Sequence, residues 1–242
     1  YLIQNNLKPI VVTGAQKPID LAITDARANL LDSLRFASHP KAHGTNIVFG
    51  GSVIAGTRAK KERSKSYNAF SSINYPDIAV IQDRRIVFYI DDKNHITDRI
   101  RFYHKLDDRV FLLKLIPGSS GAIIDSLAET TDALIIESFG VGGLPDYGDD
   151  EFYQAIKRFV EKGKIVIMAT QVTHEGSDMS VYQVGKMIKR EFSLLESYDM
   201  TLEATVAKTM WALQESSGPD GFREKFYKKI NHDIMFSPEQ NH

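Results

Sequence analysis

The chain has 242 residues, of which 43% are hydrophobic and 25% charged, and its formal net charge is −1. That size and balance suit one large globular domain or two smaller ones. The lack of a basic surplus argues against nucleic acid or a membrane surface as partner, no apolar run is long enough to span a bilayer, and the absence of cysteine excludes disulfides and cysteine-based metal or redox sites.

In chain order, Lys8 to Thr13 reads as a buried strand by its Ile-Val-Val core. Thr24 or Asp25 is placed to cap a helix running to Ser38, with Leu30, Leu31, Leu34 and Ala37 on one face. Asn46 to Ala55 is a strand interrupted by Gly50-Gly51, and Ile78 to Ile90 holds two short strands in a hairpin around Asp83-Arg84. Asp91 to Asp108 is polar and without clean period, which suits a linker. Beyond it, strands at Phe111 to Ile116, Asp132 to Glu137 and Lys164 to Thr170 alternate with helices at Ser120 to Glu129 and Gly148 to Lys162, with a turn at Pro117-Gly118-Ser119. Helices at Met179 to Arg190, Thr201 to Glu215 and Phe222 to Ile230 close the chain. Apolar strands separated by amphipathic helices predict an α/β fold with a parallel sheet and right-handed crossovers. The expected division is a domain at 1–90, a linker at 91–108 and a second domain at 109–242.

Between the first strands and the hairpin lies the most distinctive stretch, Gly56 to Pro76. Arg58, Lys60, Lys61, Arg63 and Lys65 fall within eight residues and are followed by Tyr67, Phe70 and Tyr75. Such a run is usually a solvated face; the other reading draws one lysine into a site, desolvates it and uses it as a base. Thr13, Gly14 and Ala15 sit at a strand's carboxyl end, where α/β ligands bind, though a tight turn at Gly14 would read the same way. Gly140, Gly142 and Gly143 give a weak phosphate-loop pattern, with no further glycine at dinucleotide spacing and with Leu144-Pro145 opposing a helix start. His39 and His43 flank Pro40 without a third ligand, so a solvated turn is the better reading. His174, Glu175 and Asp178 form a polar cluster that helix capping by Ser177 or Asp178 would equally explain. No serine nucleophile elbow is present.

Five blocks together resemble the bacterial and archaeal L-asparaginases, especially the cytoplasmic type I group. They are VVTGAQKP (Val11 to Pro18), TDARANLLDSLRFA (Thr24 to Ala37), the G-x-R-A-x-K loop of Gly56, Arg58, Ala59 and Lys61 ending in Asn74-Tyr75-Pro76, ESFGVGGLP (Glu137 to Pro145), and SYDMTLEATVAKTMWAL (Ser197 to Leu213). The resemblance implies a two-domain asparaginase-like α/β fold with a parallel sheet flanked by helices in each domain. It also implies a cytoplasmic homodimer or tetramer that hydrolyses L-asparagine to L-aspartate and ammonia, without cofactor or metal. By position it makes Lys61 the catalytic lysine, gives the Ala15 backbone carbonyl to the substrate amide, and brings the loop containing Gly143 to a neighbouring subunit's site. Many periplasmic members have asparagine where this chain has Gly143, and the family's Asp-Gly is Asp25-Ala26 here.

The family's upstream blocks, with the nucleophilic threonine, a tyrosine-bearing loop and a second threonine with an aspartate, have no counterpart in these residues. The resemblance therefore implies that an upstream segment supplies the threonine and covers the first sheet, which would otherwise expose an edge and an apolar face. The glutamine-hydrolysing subunit of a transfer-RNA-dependent amidotransferase shares the core pattern and is the alternative in the same fold; Ser197-Tyr198-Asp199 leans towards the free-standing asparaginase. A catalytically silent binding or assembly piece is the alternative of another class.

Overall fold

Pairs of residues with positive φ set the first sheet. In the computed structural model, which describes residues 1–145, 150–181 and 189–236, Gly50 and Gly51 have φ of 59° and 80°. That is the two-residue turn whose twist matches paired strands, so the expected interrupted strand is a hairpin of β3 (Thr45–Phe49) and β4 (Ser52–Ala55). Asp83 and Arg84, at φ 47° and 69°, repeat the device between β7 (Ala79–Gln82) and β8 (Arg85–Phe88). An arginine in that region costs about 1 kcal/mol, which the ladder on either side must offset.

These strands belong to a unit formed by residues 1–104 and 229–233. β2 (Ile10–Val12) runs parallel to β3, with α1 (Ala26–Ala37) as the crossover, and the sheet order is β2-β3-β4-β7-β8. Only that pair is parallel; the hairpins extend the sheet antiparallel, as two-residue turns require. β5 (Ala59–Lys61) and β6 (Phe70–Ser72) form a small hairpin that carries the cationic stretch, and β1 (Ile3–Gln4) pairs with β9 (Arg101–Phe102) in the segment expected as linker.

β2 is an edge strand and Val12 is exposed, the open edge expected of this sheet in the absence of a covering segment. One expectation about burial does not hold. The leucine face of α1 is turned outward: Leu30, Leu31 and Leu34 are exposed, while Asn29, Ser33 and Phe36 are buried. Phe36 anchors the helix on a core of Val48, Val53, Ala55, Ile78 and Ala79. The inward polar positions are satisfied by hydrogen bonds, which is the condition for burying them. The outward leucines remove little surface from water within the described residues.

The second unit holds residues 105–228 and continues from Ile234. Its sheet, in order, is β10 (Val110–Lys114), β11 (Ala133–Ser138), β12 (Ile165–Thr170) and β13 (Leu195–Glu196), all parallel. All six residues of β11 are buried, as expected where helices cover both faces. α3 (Glu151–Glu161) buries Phe152, Ala155, Ile156 and Phe159, the i, i+3, i+4, i+7 stripe, against Leu134, Ile136, Val166 and Met168. It packs on α2 (Ala122–Leu127) across Gly121, where a Cβ would lie 2.8 Å from the Glu151 carbonyl oxygen. α4 (Leu202–Glu215) starts where the Thr201 hydroxyl accepts the Ala204 N–H at 3.0 Å. α5 (Gly218–Tyr227) begins four residues before its expected start, because Pro219 in its first turn suits a helix opening. Fully buried Lys208 donates to the Lys228 carbonyl at 2.6 Å just past α5. Of the helix expected from Met179 to Arg190, Met179–Val181 is a 3-10 turn and residues 182–188 lie outside the described residues. No described helix is long and apolar enough to cross a membrane.

Candidate functional site

β2 delivers the chain into the loop Thr13 to Pro18, and three side chains fix that loop. The Thr13 hydroxyl donates to the Val48 carbonyl at 2.7 Å. Asn29 Nδ2 donates to the Gly14 carbonyl at 2.9 Å, while Asn29 Oδ1 accepts the Gly50 N–H at 2.9 Å. Asp25 accepts the Gln16 N–H at 3.0 and 2.9 Å and the Lys17 N–H at 3.0 Å. Asp25 therefore does not cap α1; the Thr24 hydroxyl takes the Ala26 N–H instead. Asp25, Asn29 and Ser33, spaced by four, form a polar stripe on the inward face of the helix.

The loop borders an open groove of about 580 Å³, lined by Thr13 to Ile19 together with Ala26 and Leu30. Ala15 lies on this groove. The neighbouring Gly14 carbonyl is taken by Asn29, whereas among the described residues the Ala15 carbonyl receives no hydrogen bond.

Lys61 ends β5 and is exposed, with its ammonium 5.9 Å from the Phe70 ring centroid. Phe70 in turn packs on Phe49 at 5.2 Å, and Phe49 comes within 4.0 Å of where a Cβ on Gly14 would sit. Gln16 adds a polar link: its side-chain amide donates to the Arg63 and Ser66 carbonyls at 3.1 and 3.0 Å. Lys61 and the Ala15 loop are thus joined in one unit by an aromatic contact and a glutamine clasp. Two neighbouring cations of the stretch are engaged elsewhere. Arg58 is fully buried, with Nε donating to the His232 carbonyl at 2.5 Å and its guanidinium 5.4 Å from the Tyr75 ring centroid. Arg63 donates to the Asn68 carbonyl at 3.0 Å.

Gly143 belongs to the second unit. Its N–H donates to the Phe139 carbonyl at 2.7 Å and its carbonyl accepts the Phe139 N–H at 3.1 Å. The Gly142 N–H also goes to Phe139, so these amides do not form a phosphate cradle. Gly142 has φ of 141°, and a Cβ there would lie 2.8 Å from Met179 Cγ, which explains glycine at this position. Asp178 accepts the Ser180 N–H at 2.8 Å, the capping role weighed for it. His39 packs on the Phe88 ring at 4.8 Å and His43 points Nε2 at Asp92 at 3.0 Å. Among the described residues no group of three or more histidine, aspartate or glutamate side chains is arranged to hold a metal ion.

Asp25, Asn29 and Gln16 lie inside the motif blocks, where Asp25 is expected only as a helix cap and the other two carry no expected role. The i, i+4 polar stripe is the visible signal for Asp25 and Asn29; Gln16 has none. Burial pushes the Asp25 carboxyl up, but the Gln16 and Lys17 backbone N–H groups, its own N–H and the Asn29 amide outweigh it, so its pKa lies below the ordinary carboxylate value. A depressed carboxylate contributes stability that is present above its unfolded pKa, near 4, and is lost as pH falls through the folded value. Acid unfolding of the first unit, followed by circular dichroism, is expected to shift when Asp25→Asn is introduced, with the variant losing stability at pH 7 and showing a shallower decline below pH 4. Superimposable acid profiles would remove Asp25 from this role.

The geometry can be set beside known proteins. Residues 1–94 match the family described as "Asparaginase, N-terminal" and residues 109–226 match the "Glutaminase/Asparaginase C-terminal domain". An L-asparaginase of Thermococcus kodakarensis is 33% identical over 238 residues, covering 98% of this chain and 71% of that protein. A subunit of the glutamyl-tRNA(Gln) amidotransferase of Pyrococcus abyssi is 28% identical over 233 residues, covering 93% of this chain and 52% of that protein. Among solved structures, the thermostable L-asparaginase from Thermococcus kodakarensis superposes with a TM-score of 0.90 at 32% identity, covering 98% of this chain and 70% of that one. L-asparaginase I from Vibrio cholerae superposes at 0.84 with 24% identity, covering 97% and 70%, and shows the same fold. With both family domains matched in order and a two-domain α/β architecture shared with solved asparaginases, the chain belongs to the asparaginase family.

Proposed function

We propose that this chain carries the lysine and part of the substrate-binding surface of an L-asparaginase, which hydrolyses L-asparagine to L-aspartate and ammonia. The observation that carries this reading is the joining of two elements in one unit: the groove with the unoccupied Ala15 carbonyl, and the hairpin ending in Lys61, clasped by Gln16. The Ala15 carbonyl accepts from the substrate's side-chain amide, and Lys61 takes the proton of a threonine hydroxyl as its oxygen attacks the amide carbon. The C–N bond breaks, the nitrogen leaves as ammonia with that proton, and water cleaves the resulting ester to release aspartate.

In this proposal the threonine and an aspartate come from a segment upstream of Tyr1. The exposed β2 edge and the exposed leucines of α1 support it, because an added strand and helix would cover both. Lys61 is exposed in these residues, and the same covering segment would take it out of water, the setting in which a lysine serves as a base. The enzyme acts as a cytoplasmic homodimer or tetramer in which the Phe139 to Gly143 loop approaches a second copy's groove, with Gly143 leaving room for substrate.

The test is ammonia release from L-asparagine and, in parallel, from L-glutamine, by this chain alone and by the chain joined to a family upstream segment. The expected result is no turnover alone and turnover on asparagine when joined. Activity of the 242 residues alone would place the nucleophile elsewhere, and a preference for glutamine would favour the amidotransferase-type reading.

A further inference from the structure

One cluster in the first unit has no part in the proposed chemistry. Asp92 stands between two imidazoles: His43 Nε2 lies 3.0 Å from Oδ1 and His232 Nε2 lies 3.3 Å from Oδ2. His232 belongs to a short strap, residues 229–233, that is distant in sequence from the rest of this unit. The other ring nitrogens are also engaged. His43 Nδ1 is 2.9 Å from the Lys41 carbonyl, and His232 Nδ1 is 3.0 Å from the Tyr75 hydroxyl, with the two rings stacked at 4.9 Å.

Donor and acceptor chemistry assigns the protons. His232 faces one carboxylate and one hydroxyl, and a hydroxyl can donate. A neutral ring with Nε2–H towards Asp92 and Nδ1 accepting from Tyr75 satisfies every group. We propose that Asp92, held between His43 and a neutral His232, is a proton-controlled latch that keeps the 229–233 strap docked near neutral pH and loosens it on acidification.

The charge inventory gives the direction. Asp91 is paired with Lys41 at 2.5 Å, and Lys93 is held by the Pro40 and Ala42 carbonyls, so neither changes the balance at Asp92. His39 lies on the same turn as His43, with its ring on Phe88. Arg58 sits beneath the strap, with Nε on the His232 carbonyl, and Lys229 begins the strap. Asp233, at the strap's end, is engaged by the Tyr1 hydroxyl at 3.0 Å and the Ile230 N–H at 2.8 Å. A second proton on His232 therefore adds a positive charge that Asp92 favours and that Lys229, His43 and Arg58 oppose. Burial, only partly offset by Asp92 and reinforced by Lys229, His43 and Arg58, holds the His232 pKa below the ordinary histidine value. A histidine depressed in the folded state contributes stability that is present above its unfolded pKa, near 6.5, and is lost as pH falls through the lower folded value.

The strap is suited to respond. Asn231 and His232 both adopt left-handed backbone, at φ 48° and 63°, a conformation that a histidine holds only when its surroundings impose it. Two further bonds of the strap do not titrate: the Thr57 hydroxyl donates to the Asn231 carbonyl at 2.5 Å and the Asn231 amide donates to the Thr45 carbonyl at 3.0 Å. The imidazoles are the pH-dependent part of the dock.

The test is hydrogen exchange of this chain from pH 8 to pH 5, read as protection factors corrected for intrinsic rate. The reporter is the Asp233 amide, which donates to the Ile230 carbonyl at 3.1 Å, and the β11 amides are the reference. Protection at Asp233 is expected to fall about tenfold between pH 7 and pH 5 while β11 does not change. His232→Gln, whose amide can donate to Asp92 and accept from Tyr75 without titrating, is expected to abolish that fall. If His232→Gln does not fold, Asp92→Asn is expected to leave the strap exchanging quickly at both pH values. Wild-type protection that is flat from pH 8 to pH 5, or a fall that persists unchanged in His232→Gln, would overturn the latch and would assign any residual pH dependence to Asp233.

Discussion

Replacing Lys61 by methionine is expected to lower kcat for L-asparagine by about a hundred- to ten-thousandfold in the chain joined to an upstream segment, the range a positioned general base supplies. The midpoint of thermal unfolding, measured on the 242 residues alone, should move little. Lys61 is exposed in these residues, its methylene chain keeps its place beside Phe70 as methionine, and a surface substitution of this kind usually changes stability by less than about 0.5 kcal/mol. Lys65→Met is the matched control, since Lys65 lies four residues on in the same exposed loop and should retain activity within about twofold. Lys61→Met with near-normal kcat, or Lys65→Met with an equal loss, would defeat the assignment and leave the cationic stretch as a solvated face.

How far the sequence reveals this arrangement depends on the range of the interactions. The second unit was readable because its strands are β-branched apolar runs and α3 places Phe152, Ala155, Ile156 and Phe159 at helical spacing; both signals are local. The Asp83-Arg84 hairpin was readable for the same reason. The orientation of α1 was not. Leu30, Leu31 and Leu34 outweigh Asn29 and Ser33 in any count of hydrophobicity, yet the polar pair is inside, since Asn29 satisfies the backbone of two separate turns. Hydrogen bonds between a side chain and a distant backbone leave no periodic trace. Arg58 is the sharper case: in sequence it is one of five clustered cations, and in the structure it is fully buried under a strap more than 170 residues away. Asp25, Asn29, Gln16 and Lys61 all fall within the motif blocks. Which partner each side chain holds is decided by contacts between blocks.

Asn29→Ala is expected to destabilise the first unit by about 2–3 kcal/mol, measured by urea unfolding at pH 7. Three hydrogen bonds are lost: to the Gly14 carbonyl, from the Gly50 N–H, and to Asp25 Oδ2 at 3.3 Å. Each is worth about 0.5–1.5 kcal/mol net, and exposure of Gly14 and Gly50 lets water recover part of the loss. Asn29→Asp separates hydrogen bonding from charge. It keeps the acceptor for Gly50 but sets a second carboxylate beside Asp25 at the helix face. Two carboxylates at that distance cannot both ionise without cost, so one must have a raised pKa. A raised carboxyl pKa contributes stability below that pKa and loses it as pH rises. The aspartate variant is therefore expected to be at least as unstable as Asn29→Ala at pH 7, and to recover relative to it at pH 5, where a proton shared with Asp25 relieves the repulsion. In the joined enzyme the same variants should raise KM for asparagine more than they lower kcat, because the Ala15 loop loses its tie while Lys61 keeps its place on Phe70. An Asn29→Asp protein as stable as the parent at pH 7, or a KM unchanged in both variants, would show that Asn29 merely fills space and that Asp25 and Gln16 alone hold the loop.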